Sequence, residues 1–204
     1  MTTNFKHYVD MHHGQDFLIC GNGYSILQYD PEWYENWPGV TLGVNRILDY
    51  FTPNFYVNVE VPEAINWQMP EKVNTLWIAA KSSGQPRANI EFDWTPTRGH
   101  FYTQKDGLVC WGHGSPFICL SLAYQLGARS ISIIGVDFCH GPEGQPYFTD
   151  NEEHVRQWYL GIDPKMRDLS IGWWQDAYLV LQDKGIEVKN LSKISKLNLQ
   201  GKAK

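Results

Sequence analysis

The order of apolar runs along the 204-residue chain predicts an α/β protein. The expected architecture is a Rossmann-like, mostly parallel sheet with helices on both faces and a small lid insertion. Three observations carry this. Short continuous apolar runs recur, as in strands covered on both faces. Helical patterns feed directly into such runs. A turn with two glycines closes the first of them, at Gly21-Asn22-Gly23.

Taken in order, "FLIC" (17–20), "VTLGV" (40–44), "NFYVNV" (54–59) and "TLWIAA" (75–80) read as strands. "SISIIGV" (130–136) is the clearest strand, β-branched and closed by Gly-Val-Asp, and "IEVKNL" (186–191) is a late one. "SPFICLSLAYQLGA" (115–128) has apolar residues at helical spacing. Ser115 is its expected N-cap, Pro116 its first helical residue and Gly127 its stop. "GWWQDAYLVLQDKG" (172–185) is a second helix, starting at Gly172. Residues 82–107 are turn-rich and read as an excursion. Residues 139–170 follow the strongest strand and read as a lid, with Gly, Pro, charge and aromatics. The expected organisation is one nucleotide-binding domain over 1–204, with its core at 15–138 and 171–192. The polar start containing His12-His13 is expected to be unstructured.

Composition narrows the function classes. The formal net charge is −5, and the basic residues are scattered except for a mildly basic tail. That lacks the footprint of a nucleic-acid binder. No stretch approaches the roughly 18–20 apolar residues of a membrane span, and the polar start lacks a signal peptide's apolar core. A cytoplasmic protein is the expectation. Cysteines 20, 110, 119 and 139 have no close pairing for zinc or redox chemistry. Cys20 and Cys119 read as small core residues.

Strand, glycine turn and helix start form the layout of a phosphate-binding turn. The dinucleotide fingerprint fails, because Ile26 stands where the third glycine belongs and Asn45 where the ribose-binding acid is expected. A Walker A loop is absent. Asn22, Asn45 and Asn58 each fall at the carboxyl end of one of the first three strands. Three amides on one rim suit a neutral polar ligand, such as a nucleoside or a sugar. Asn also favours turns for purely local reasons. Asp150, Glu152 and Glu153 cluster in the lid. They can hold magnesium, joined by Asp137, or simply favour a helix N-terminus.

"ICGNGYSI", "LGVNR", "FYVNVE", "GSPFICLSLAYQLGARSISIIGVDF" and "YFTD", in this order, resemble the bacterial family 42 sialyltransferases. They equally resemble the wider superfamily of motility-accessory and archaeal pterin-pyrophosphokinase-like (6-hydroxymethylpterin diphosphokinase-like) proteins. The resemblance runs from about residue 17 to residue 191. It implies a Rossmann-like sheet with a lid, and transfer from a cytidine-monophosphate sugar without metal or other cofactor. Under it, the turn Gly21-Asn22-Gly23 faces the donor phosphate and sugar, and Asn45 and Asn58 line the pocket. Ser115, preceded by Gly114, meets the donor by hydroxyl and backbone N–H, and Asp137 lies near the nucleotide. The family has Ser-Gly where this chain has Ser115-Pro116, which removes one N–H. Two lid tyrosines of the family hydrogen-bond the departing phosphate; Cys139 replaces the first, and Tyr147 matches the second. The family's basic His precedes the last helix, where this chain reads "LSIGWW". His140 and His154 are the lid histidines, and His154 is the candidate base. Two alternatives stand beside this: an ATP- and magnesium-dependent pterin or nucleotide pyrophosphokinase-like enzyme, and a non-catalytic nucleotide-binding protein. The expected partner in each case is a small molecule.

Overall fold

The computed structural model describes residues 2–60, 74–98, 100–111, 114–142, 144–145, 147–148 and 164–199. Nine strands form one sheet: β1 (Thr3–Asn4), β2 (Asp16–Cys20), β3 (Val40–Val44), β4 (Phe55–Val57), β5 (Leu76–Ala80), β6 (Ile90–Arg98), β7 (Leu108–Trp111), β8 (Ser130–Ile134) and β9 (Glu187–Asn190). The spatial order is β1-β6-β5-β4-β3-β2-β8-β9, with β7 also paired to β6. Every registered pair is parallel. The fold is α/β and Rossmann-like, as the apolar runs predict.

Three α-helices are described: α1 (Pro31–Glu35), α2 (Ser115–Leu126) and α3 (Pro164–Asp183). From β2 the strands step one way through β3, β4 and β5; from β8 to β9 they step the other way. Right-handed crossovers then place the connections on opposite faces. One core joins α2 and α3 to Phe17, Ile19, Leu42, Ile131 and Ile133. The other joins Tyr34 of α1 to Leu18, Cys20, Tyr56, Trp77 and Ile134. The alternation of neighbours such as Leu18 and Ile19 between these cores is the period-two geometry of a strand buried on both faces.

Helix α2 is buried almost all round. The sheet lies on one side, and the segment before β7 wraps another, where the Tyr124 hydroxyl donates to the Thr103 carbonyl at 2.8 Å and the Gln125 amide to Gln104 at 2.7 Å. Such a helix carries apolar residues on every face. Helix α3 has the usual buried stripe, Ser170, Trp174, Ala177 and Leu181.

Four expectations are corrected, and one strand is added. The 82–107 stretch is not simply an excursion, because it holds the nine-residue strand β6. Its charges and Pro96 disguise it; the register with β7 is irregular between Trp94 and Arg98, and that irregularity spans the proline. Strand β7 also escaped the reading of apolar runs. Helix α3 starts at Pro164, so Gly172 lies inside it and does not mark its beginning. Gly114, at φ +89°, is the N-cap of α2, and Ser115 is its first residue. The polar start is structured: β1 pairs with β6, Phe5 is fully buried, and the His12 backbone N–H reaches the Leu126 carbonyl at 2.9 Å.

Candidate functional site

The strand order reverses between β2 and β8, and ligands of open parallel sheets bind outside the carboxyl ends at such a switch point. The two turns that leave these strands are tied together. Gly21 donates its N–H to the Ile134 carbonyl at 2.8 Å, and Gly23 donates to the Gly135 carbonyl at 2.7 Å. A Cβ on Gly21 would lie 2.2 Å from the Gly135 oxygen, and one on Gly135 would lie 2.4 Å from the Gly21 oxygen. A Cβ on Gly23 would lie 2.6 Å from an Asp137 carboxylate oxygen. The space released by these glycines is filled by the protein's own backbone and by Asp137.

Asp137 is 4% exposed. Its Oδ2 accepts the Ser25 N–H at 2.8 Å, and its Oδ1 accepts the hydroxyls of Ser25 at 2.6 Å and Ser192 at 2.7 Å. The Ser25 hydroxyl in turn accepts the Gly135 N–H at 2.9 Å. Three segments therefore meet on one carboxylate: the turn after β2, the turn after β8 and the segment after β9. The last of these is fastened further by Lys196 N–H to the Asp137 carbonyl and by the Ser195 hydroxyl to the Val136 carbonyl, each at 2.8 Å. Ser25 and Ser192 are site-forming residues that no local pattern announces.

The asparagines follow the ends of three adjacent parallel strands: Asn22 comes two residues after β2, Asn45 directly after β3 and Asn58 directly after β4. Their environments differ. Asn58 is fully buried; its amide donates to the Tyr56 hydroxyl at 3.1 Å and its oxygen accepts the Glu60 N–H at 2.9 Å. Asn22 and Asn45 are half-buried, and the side-chain oxygen of each is shielded from solvent with no hydrogen-bond partner. Asn45 also holds φ +46°, a left-handed conformation that Asn tolerates better than most residues.

At the start of α2, Ser115 is 9% exposed. The following Pro116 has no N–H, and the Phe117 N–H is given to the Gly114 carbonyl at 3.1 Å. The first turn thus offers fewer free donors than an ordinary helix start. Of the lid, residues 141–148 that are described lie over the glycine turn. Gly141 packs against the Tyr24 ring, the Phe148 N–H reaches the Asn22 carbonyl at 3.0 Å, and the Phe148 ring sits 5.6 Å from that of Tyr50. Tyr147 is half-buried beside Phe148. His154, Asp150, Glu152 and Glu153 lie outside the described residues. Among the described residues, no group of three or more His, Cys, Asp or Glu side chains can hold a metal ion.

Three of the groups that burial shifts lie in the core. Burial pushes the Cys20 and Cys119 thiols up, and it does the same to the Tyr34 hydroxyl, which donates to the Ile26 carbonyl at 2.6 Å. Among the described residues, no helix is long and apolar enough to cross a membrane.

No protein-family model and no curated protein matches this chain. Among solved structures, the chain is similar to a MAf glycosyltransferase from Magnetospirillum magneticum AMB-1, at 15% identity and a TM-score of 0.43. The match covers 67% of this chain and 27% of that one.

Proposed function

We propose that this protein is a metal-independent, sialyltransferase-like glycosyltransferase that takes a nucleotide-sugar donor at the carboxyl edge of the sheet, around the β2/β8 switch point. One observation supports this above the rest: Asn22 and Asn45 stand on neighbouring strand ends, each with a shielded, unpartnered oxygen. An unpaired buried acceptor costs about 1–3 kcal/mol, which a ligand bearing N–H or O–H donors recovers. A nucleobase amine or sugar hydroxyls meet that need, and the two amide NH₂ groups can donate in return.

The reaction is displacement at the anomeric carbon. An acceptor hydroxyl forms the new bond as the bond to the nucleotide phosphate breaks, and negative charge collects on the phosphate. Tyr147 and the hydroxyl and N–H of Ser115 are the donors proposed to meet that charge. His154 is the proposed base for the acceptor proton. The resemblance in the Ser115–Asp137 block and the YFTD motif supports these assignments. Gly21, Gly23, Gly114, Asn58 and Asp137 act in this reading by shaping the pocket. The magnesium-dependent alternative asks Asp137 to turn toward a metal, whereas both of its oxygens already accept hydrogen bonds.

Calorimetry with CMP and with ATP, each with and without magnesium, tests the reading. The expected result is CMP binding without metal, weakened at least roughly tenfold by Asn45→Gly. ATP binding that requires magnesium would transfer the assignment to phosphoryl chemistry. CMP binding without turnover of any CMP-sugar would leave a non-catalytic nucleotide binder. His154→Ala is expected to cut turnover by roughly 10²–10⁴-fold with donor binding retained.

A further inference from the structure

One edge of the sheet ends on β9, which pairs with β8 and, among the described residues, with no other strand. Two hydrogen bonds fix the direction of its backbone groups. The Gly21 N–H reaches the Ile134 carbonyl at 2.8 Å, so the even-numbered residues of β8 face β2. The Leu191 N–H reaches the Ile133 carbonyl at 2.8 Å, so the odd-numbered residues of β8 face β9. Alternate residues of a strand send their peptide groups to the same side. Glu187, Lys189 and Leu191 therefore give theirs to β8, and Val188 and Asn190 point theirs away from the sheet. The Val188 side chain is buried in the core that holds α3. Only its N–H and carbonyl are directed at the edge.

The segment that follows β9 does not take these groups. It leaves the sheet at Ser192, whose hydroxyl goes to Asp137, and returns against α3. There the Gln175 amide donates to the Asn198 carbonyl at 3.3 Å, and Leu197 and Leu199 join the core that holds Trp174. Its hydrogen bonds with β9 run through the Asn190 side chain, whose oxygen accepts the Ser192 N–H at 3.1 Å and whose amide donates to the Leu197 carbonyl at 3.0 Å. No backbone hydrogen bond joins residues 192–199 to residues 187–190. On the face of the strand opposite Val188, the Glu187 and Lys189 side chains are 61% and 57% exposed and pair with each other at 2.9 Å.

We propose that β9 pairs antiparallel with β9 of a second copy of this chain, with Val188 opposite the partner's Val188 on a two-fold axis. Each Val188 N–H then donates to the other's carbonyl, and the Asn190 N–H meets the partner's Ile186 carbonyl. The flanking positions set Glu187 opposite the partner's Lys189, and Lys189 opposite the partner's Glu187. These are non-hydrogen-bonded pairs, in which side chains come closest and opposite charges attract. The strand is thus complementary to itself, as a two-fold contact requires. A lone lysine keeps a sheet edge free by repelling its own copy; Glu187, two residues away, turns that repulsion into attraction in this register. Moving the axis to Asn190 would carry the pairing onto Ser192, where the chain has left the sheet. A strand of another protein would find the same peptide groups, but this chain itself carries the matching charges at the matching spacing. The inference does not depend on the proposed donor site.

Sedimentation equilibrium on the full chain tests it. The expected result is a reversible monomer–dimer equilibrium with a Kd of about 1–100 µM, as suits a small contact, and weaker at high salt. Glu187→Lys alone, or Lys189→Glu alone, should weaken the dimer by at least roughly tenfold. The double variant that combines them should restore it. Both side chains are exposed, so thermal unfolding of dilute samples should be unchanged in all three. Amide exchange locates the contact: the Val188 and Asn190 N–H groups should exchange more slowly in the dimer than after dilution. The Leu191 N–H, held by Ile133, should stay protected in both. A chain that remains monomeric up to roughly 500 µM would overturn the proposal. So would a dimer indifferent to either single variant, or a double variant that does not recover. A monomer whose Val188 amide is already slow to exchange would overturn it too, since the edge would then be covered from within one chain.

Discussion

Gly21 and Gly135 approach so closely that a Cβ on either would lie within 2.4 Å of the other's carbonyl oxygen. The clash is with backbone, which cannot swing aside as a long side chain can. Gly21→Ala is therefore expected to destabilise the fold by about 1–3 kcal/mol or more. Gly135→Ala should cost a further ~1–2 kcal/mol, because Gly135 holds φ +72°. Urea unfolding of both variants checks this; a change below about 0.5 kcal/mol in either would mean that the turns separate easily.

Asp137 is the second fastening of the same junction. Asp137→Asn keeps the size but leaves one acceptor oxygen for groups that now bond two. Stability should fall by about 1.5–3 kcal/mol, the range for hydrogen bonds to a charged group. A metal-binding or purely catalytic Asp137 would instead lose activity with its melting temperature unchanged, so thermal unfolding decides between these roles.

Asn45 separates the ligand from the fold. Its φ of +46° suits glycine, so Asn45→Gly should leave stability within about 0.5 kcal/mol while removing the amide. Asn45→Asp keeps the acceptor and adds charge. If the ligand donates to this oxygen, Asn45→Asp should retain CMP binding better than Asn45→Gly does. The reverse order would place a phosphate there.

Gly172 lies within α3, and a Cβ on it would meet nothing within 4 Å. Gly172→Ala should therefore stabilise the protein by about 0.5–1 kcal/mol through helix propensity and a less free unfolded chain. Chemical unfolding measures it, and a loss of stability would contradict a continuous helix through this position.

Asp16 gives a pH signature. The Arg129 guanidinium hydrogen-bonds it, with Nη2 at 2.6 Å, and Ser130 Oγ does so at 2.6 Å; together they hold its carboxyl below the usual range. Its folded pKa is depressed, so its contribution is present above the unfolded value of about 3.9 and is lost as pH falls through the folded value. Because the pair is exposed, the effect is small and screened by salt. Melting temperatures from pH 6 to pH 2 should fall less steeply for Asp16→Asn than for the wild type.

The sequence by itself determined the class of the fold. Apolar-rich runs such as Leu18-Ile19-Cys20 and Ile131-Ser132-Ile133-Ile134 fit strands covered on both faces, and helix 115–126 carries its own stop at Gly127. These signals are local, each read within a dozen residues. The placing of asparagines at three successive strand ends was legible for the same reason. Strand β6 was not, because Pro96 and alternating charge mask a pairing that depends on its neighbours. The start of α3 was not legible either, since Gly172 mimics a boundary inside a helix that tertiary packing sustains. Only the tertiary structure decided what the double glycine is for. Its partner is Gly135, and the acid beside it clasps Ser25 from 112 residues away and Ser192 from 55 residues away. No local pattern encodes such contacts, because they exist only once the parallel register of β2 against β8 brings the two turns to the same edge.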